Sequence, residues 1–308
     1  MTRDLVIGVD VGGTAIKAAV FDSDGLEYLS SEWPTPRHLG PDAVVAATID
    51  GIAGLRAQVP EGAQLRAVGL VVPGIVDAEH GIAVYATNLG WQQLPIRQLV
   101  AEAVGLPVVL DHDVRAAGLA ELELGAGRGL QEVLFVALGT GVAAAVITRG
   151  QVFAGTTGRA GELGHLPVFP EGELCACGQR GCTETYASPA ALSRRYAAAS
   201  GISSVPAEDV IGRAAAGDPL ADGVFRDAIT ALGRALVHYA LLMDPELVII
   251  GGGMAASGTA LLDPLIREVQ SGLAWRPAPT IVTGRFAGDA GRRGAGLLAW
   301  GALTESEP

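Results

Sequence analysis

Apolar and polar positions alternate in blocks along the chain, and the blocks divide it into strands and helices. DLVIGVD (4–10) is an apolar run of strand length. A tight turn, VGGT, follows. AIKAAVFD (15–22) and LEYLSSEW (26–33) read as two more strands, with Asp24-Gly25 between them as a hairpin signal. Residues 42–58 carry Val44, Val45, Ile49 and Ile52 near helical spacing, which predicts a helix. LRAVGLVVPG (65–74) is a strand ending at Pro73-Gly74. The stretch after it, through Asn88 and Trp91, reads as looser chain. IRQLVAEAVG (96–105) predicts a short helix closed by Gly105. PVVLDHD (107–113) predicts a strand with three polar residues at its end, and 114–127 a helix.

The second half starts the same way. EVLFVALGTG (132–141) is a strand running into a glycine turn, and 142–150 and 151–155 are hairpin strands around Arg149-Gly150. Helices are predicted over 189–200, 207–216 and 219–243, with Gly217-Asp218-Pro219 separating the last two. A strand at 245–253 ends in three glycines. A helix (259–270), a strand (280–286) and a last helix (290–303) complete the pattern. The order is that of an α/β protein with a coarse internal duplication: each half opens with a strand, a glycine turn and a hairpin.

Length and composition narrow the classes. The 308 residues suffice for two domains, and 49% hydrophobic residues support a large core. A net charge of −12 argues against a nucleic-acid-binding surface, which needs a basic patch. It leaves ATP open, because backbone amides and magnesium can hold a nucleotide. No window resembles a signal peptide, and no apolar stretch is long enough to span a bilayer.

The chemistry concentrates in residues 158–188. All three cysteines, Cys175, Cys177 and Cys182, lie there, with His165 ten residues before the first. One imidazole and three thiols make a closed set for tetrahedral structural zinc. Grouped thiols of this kind fit a reducing cytoplasm. Glu162 and Glu184 flank the ligands, so a metal here would tie down two carboxylates and shape a pocket. Three strands end in glycine turns: Asp10-Val11-Gly12-Gly13-Thr14, Gly139-Thr140-Gly141 and Gly251-Gly252-Gly253. Glycine serves a tight turn and also lets backbone amides approach phosphate oxygens. None of the three has the spacing of a P-loop or a Rossmann turn. Asp10 ends its strand where it can orient magnesium through water or accept turn N–H bonds. Asp113 stands at another strand end. It suits a helix N-cap, and as an aspartate ionised at neutral pH it also suits a general base toward a sugar hydroxyl.

These motifs together resemble the ROK family of sugar kinases and repressors over nearly the whole chain. DVGGTAIK (10–17) looks like the family's phosphate motif, and Pro73-Gly74 and Asn88-Leu89 match its sugar-side loops. GELGH (161–165) followed by CACGQRGCTE (175–184) resembles its zinc signature. The resemblance implies an actin/hexokinase-like ATPase fold of two α/β domains with a cleft between them. The smaller domain would span 1–112 plus 301–308, and the larger 113–300. It implies phosphoryl transfer from magnesium-ATP to a sugar hydroxyl, usually C6 of a hexose, with domain closure on sugar binding. Asp113 falls on the catalytic base. Gly74, Asn88, His112, Glu162, His165 and Glu184 fall on or beside the sugar, and His165, Cys175, Cys177 and Cys182 on the zinc. Asp10, Gly12, Gly13, Thr14, Lys17, Gly139, Thr140, Gly141, Gly252 and Gly253 fall on the nucleotide loops. A homodimer is implied by the same analogy.

The chain departs from the family at four positions. His112 stands where Asn usually precedes the catalytic Asp, Ala143 and Ala144 replace glycines, and Thr183 replaces a larger residue. Glucose is the expected acceptor. An amino sugar (kanosamine, N-acetylmannosamine, N-acetylglucosamine), fructose or a cyclitol is the alternative, because the ring of His112 alters donors and acceptors beside the sugar. A repressor would carry a DNA-binding segment before the phosphate motif, which here begins at residue 10. A non-catalytic sugar sensor would not need Asp113. Polyphosphate as donor would favour a basic groove, which this composition does not suggest.

Overall fold

The first apolar run forms β1 (Arg3–Val11), and the turn after it returns the chain antiparallel as β2 (Ala15–Phe21). β3 (Glu27–Pro34) extends the meander. After helix α1 (Pro41–Arg56), β4 (Ala63–Val72) lies parallel to β1. After α2 (Ile96–Val104), β8 (Val108–His112) lies parallel to β4. The sheet order is β3-β2-β1-β4-β8. The computed structural model describes residues 3–304.

Helix α3 (Asp113–Glu123) leads to a second sheet built on the same plan. β9 (Val133–Leu138), β10 (Val142–Thr148) and β11 (Gln151–Phe153) form an antiparallel meander. β12 (Leu247–Gly251) and β13 (Thr280–Thr283) add in parallel, giving the order β11-β10-β9-β12-β13. Between β11 and β12 lie α4 (Glu184–Ala187), α5 (Pro189–Ser200), α6 (Ala207–Ala215) and α7 (Pro219–Met243). The Asp218 side chain caps α7 by accepting from Leu220 N and Ala221 N. α8 (Thr259–Gly272) precedes β13, and α9 (Ala290–Thr304) ends the described chain. One strand order, used twice with the antiparallel meander at one edge, is the repeat of the actin/hexokinase-like ATPase fold.

Two compact units result. Among the described residues, the first comprises 3–120, Ala154–Arg159 and 289–304, the second Glu121–Phe153 and Ala160–Gly288. These limits differ from the expected 112/113 and 300/301 divisions. Most of α3 stays with the first unit, as does all of α9, because α9 packs directly on β1 and β4. The approach is close: a Cβ on Gly69 would lie 1.8 Å from the Ala295 carbonyl oxygen, so only glycine fits there. Residues 305–308 of the expected smaller domain lie outside the described residues.

Each unit has its own core. In the first, Leu5, Ile7, Val9, Ile16, Ile52, Leu70 and Leu110 are buried between the sheet and the α1–α2 pair. In the second, Leu134, Val136, Ile250, Leu232, Leu236 and Leu265 are buried together, with α7 packed on α8. The stretch that read as loose is a small antiparallel sheet, β5 (Ile75–Asp77), β6 (Ile82–Ala86) and β7 (Trp91–Leu94). Its strands are too short to show an alternation. Trp91 secures it, buried to 2% exposure with its Nε1 donating to the Pro41 carbonyl at 3.2 Å.

Candidate active site

In the first unit the sequence-expected residues gather at the carboxyl ends of β1 and β8. Asp10 faces Lys17 across the β1–β2 pair. Gly12 N–H donates to the Ala15 carbonyl at 3.0 Å and closes the turn that holds Gly13 and Thr14. Thr35 braces that turn: its hydroxyl donates to the Gly12 carbonyl at 2.6 Å and its N–H to the Thr14 carbonyl at 3.0 Å. Asn88 lies against it, since a Cβ on Gly13 would stand 3.2 Å from the Asn88 Cβ. Gly74 turns with φ +93°, and a Cβ there would meet the Tyr85 carbonyl oxygen at 2.2 Å. Asp10 keeps some accessible surface, but its carboxylate sits among packed groups. Burial, then the nearby Asp113 carboxylate, pushes its pKa up to about 7 against the opposing pull of Lys17 and Arg292.

Asp113 opens α3. Its Oδ1 accepts from the Val114 N–H at 2.7 Å and lies 3.4 Å from His112 Nε2. Among the described residues no donor reaches Oδ2. The strand end is fixed from behind. Asp111 Oδ1 accepts from the His112 N–H at 2.7 Å and from Arg115 through both Nε, at 2.8 Å, and Nη2. Arg115 is 4% exposed, and its Nη1 donates to the Gly158 carbonyl at 2.8 Å.

In the second unit two glycine turns lie side by side. Gly139, Thr140 and Gly141 join β9 to β10, and Gly252 and Gly253 follow β12. A Cβ on Gly252 would be 2.4 Å from the Leu138 carbonyl oxygen, which places it against the end of β9. Glu184, at the start of α4, reaches the first turn: its Oε2 accepts from the Val142 N–H at 2.8 Å. A Cβ on Gly141 would stand 2.2 Å from that oxygen. Ala143 and Ala144 lie in β10, where Ala144 N–H donates to the Gly161 carbonyl at 2.8 Å. Thr183 is buried, with its hydroxyl donating to the Leu166 carbonyl at 3.1 Å.

His165 ends a single 3-10 turn, Leu163–His165, that begins just after Glu162. Its Nδ1 is 3.7 Å from Cys175 Sγ, and its Nε2 is 4.0 Å from Glu162 Oε2. Cys177 Sγ is 3.7 Å from Cys182 Sγ, and the four candidate ligand atoms all lie within 4.8 Å of one another. Tetrahedral zinc with bonds of about 2.3 Å to sulfur and about 2.0–2.1 Å to nitrogen sets edges of about 3.8 Å (S to S) and about 3.6 Å (S to N). The His165–Cys175 and Cys177–Cys182 separations fit these edges, while the 4.8 Å outer limit of the set is longer. Burial, then the neighbouring thiols, push Cys182 up to about 12, burial raises Cys175, and the Gln179 backbone N–H lowers Cys177.

Several residues that brace the two units escaped the sequence reading. Asp111 and Arg115 are four apart across a strand–helix junction, a spacing that carries a signal only once the helix start is known. Thr35 had no signal. Glu121 is fully buried: Oε1 accepts from Phe286 N–H at 2.9 Å and Oε2 from Ala126 N–H at 3.0 Å. An acid between Ala120 and Leu122, ahead of a glycine-rich loop, was the available clue.

Two like α/β units, each ending its central strands in glycine turns, with a carboxylate at one strand end, agree with the class of sugar kinases to which the chain is similar. The ROK family pattern matches residues 6–302, and the chain belongs to that family. It is 33% identical to the glucokinase of Streptomyces coelicolor, over 96% of this chain and 97% of that protein. It superposes on a ROK hexokinase from Thermus thermophilus with a TM-score of 0.86, at 34% identity, covering 98% of this chain and all of that one (100%). For a ROK glucokinase from Streptomyces griseus, solved with glucose and AMPPNP, the TM-score is 0.81 at 34% identity, covering 96% of this chain and 99% of that one.

Proposed function

We propose that the protein transfers the γ-phosphoryl group of ATP to the C6 hydroxyl of glucose, with Asp113 as general base. The carrying observation is the Asp113 carboxylate, with Oδ1 held and Oδ2 clear of donors among the described residues. Ionised Oδ2 takes the hydroxyl proton as the sugar oxygen attacks the γ-phosphorus. The bond from that phosphorus to the β–γ bridging oxygen breaks, and ADP leaves with the electron pair.

The other residues bind and orient. The turns at Gly12–Gly13–Thr14, Gly139–Thr140–Gly141 and Gly252–Gly253 offer backbone N–H groups to phosphate oxygens. Lys17, opposite Asp10, adds a cation near the first turn. Magnesium, when bound with the nucleotide, neutralises charge on the phosphates. Glu162, His165 and Glu184 hold the sugar hydroxyls, and Gly74, Asn88 and His112 line the sugar's other contacts. His165 turns Nδ1 to the thiols, which leaves Nε2 for the sugar beside Glu162. Cys175, Cys177, Cys182 and His165 would hold a structural zinc, since four protein ligands leave no open position. The metal would fasten the chain that carries both glutamates.

Asp113→Asn tests the base. Turnover should fall by about two to four orders of magnitude, while glucose binding, measured by calorimetry, stays within a few fold. Near-normal kcat in that variant removes Asp113 from the mechanism.

A further inference from the structure

His112 does not simply line the site; it faces the base. Its ring is largely buried, at 16% side-chain exposure, and Nε2 lies 3.4 Å from Asp113 Oδ1. The backbone that carries the ring is fixed. Its N–H donates to Asp111, and Asp111 is gripped by the buried Arg115, itself anchored on the Gly158 carbonyl. The contact is long for a neutral hydrogen bond and short enough for an ion pair. Contacts of this kind tighten when substrate is bound.

We infer that His112 is a positioning residue that tunes Asp113: it holds Oδ1 so that Oδ2 faces the acceptor, and its protonation ion-pairs the carboxylate and weakens the base. The inference rests on Asp113 being the base. A neutral imidazole, with Nε2 3.4 Å from Oδ1, leaves the carboxylate charge uncompensated and Oδ2 basic. An imidazolium stabilises the carboxylate and reduces its drive to take a proton. Histidine changes charge between about pH 5 and 8, so turnover should gain an acid limb in that range.

The other charged groups around the pair are accounted for. Asp111 and Arg115 neutralise each other. Asp10 on β1 lies within electrostatic reach of Asp113, and Lys17 on β2, with Arg292 and Asp289 at the start of α9, act on Asp10. Asp10 titrates in the same range, so the wild-type profile alone mixes two ionisations. The difference between wild type and His112→Gln is therefore the readout, because glutamine keeps a donor at similar reach and does not titrate.

The experiment is the pH dependence of kcat and kcat/KM for glucose, from pH 5 to 8.5, in wild type, His112→Gln and His112→Ala, with folding checked by circular dichroism. His112→Ala should lower kcat at pH 8 by about tenfold, and His112→Gln should restore it to within about threefold of wild type. His112→Gln should also retain about three to ten times more of its pH 8 activity at pH 6 than wild type does. Superimposable profiles for wild type and His112→Gln overturn the inference. So does a His112→Ala enzyme with unchanged kcat and a changed ranking of sugars, which would make His112 a specificity contact instead. Full activity in Asp113→Asn would defeat the base reading itself. A dead Asp113→Asn beside an unchanged His112→Gln profile would defeat this inference alone.

Discussion

Asp10 shows how a single carboxylate ties stability to pH. Its folded-state pKa of about 7 lies above the ordinary 3.8, with burial as the main cause. Between those values the folded protein keeps a proton that the unfolded chain releases. Stability therefore falls as pH rises from about 4 to about 7 and stays lowered above that. Asp10→Asn removes the burden. Without ligands, this variant should melt at least about 2 °C above wild type at pH 8, with the difference vanishing near pH 4. Scanning calorimetry across that range checks it, and equal melting at pH 8 would show that Lys17 and Arg292 already balance the charge. At this scale the sequence exposed the residues that punctuate strands, Asp10 and Asp113. It did not expose Arg115 or Glu121, because a charged side chain declares its burial only through tertiary partners such as the Gly158 carbonyl or the Phe286 N–H.

Among the elements, the segment from Glu162 to Glu184 carries the most chemistry in the least regular structure. Two isolated bridges, Pro167 with Cys182 and Leu174 with Arg180, are its strand pairings. A second set of contacts holds it independently of any metal. The Phe169 and Tyr186 rings meet edge to face at 4.7 Å, and the Arg234 guanidinium lies 4.7 Å over Phe169. Glu173 accepts from Arg194 and Arg195, and Arg195 also reaches Asp227 on α7. This cradle sets a separable expectation. Purified protein should hold about one zinc per chain. Cys177→Ser should lose it and bind glucose more weakly, by about tenfold or more, while unit 2 stays folded by circular dichroism. Full sugar affinity in metal-free protein would contradict the link between the thiols and the glutamates. The four candidate ligands were legible as a group because three cysteines fell within eight residues. The cradle was not, because its arginines read as an ordinary polar helix face. The glycine-turn hairpins were likewise legible within a residue or two, whereas β5–β7 and the single turn of α4 were too short to show a period.

For the whole molecule, the duplicated strand order explains why one chain offers glycine turns in both units. Each sheet ends a central strand at a turn that needs little side chain and much backbone N–H. The acidic composition, with a net charge of −12, supports a compact nucleotide as donor in preference to a long polyanion. Among the described residues no helix is long and apolar enough to cross a membrane. The periodic pattern carried the α/β class and the repeat. The unit limits were not readable, because they depend on where α9 packs and on six residues, Ala154–Arg159, that rejoin the first unit.

The most direct measurement is glucose-dependent ADP release from magnesium-ATP, with the product examined by phosphorus NMR and a panel of hexoses, amino sugars and cyclitols run alongside. The account predicts one ADP per sugar consumed, phosphate on the C6 oxygen of glucose, and loss of both signals in Asp113→Asn. Glucose that binds without any ADP release, and no release with any other acceptor on the panel, would contradict it.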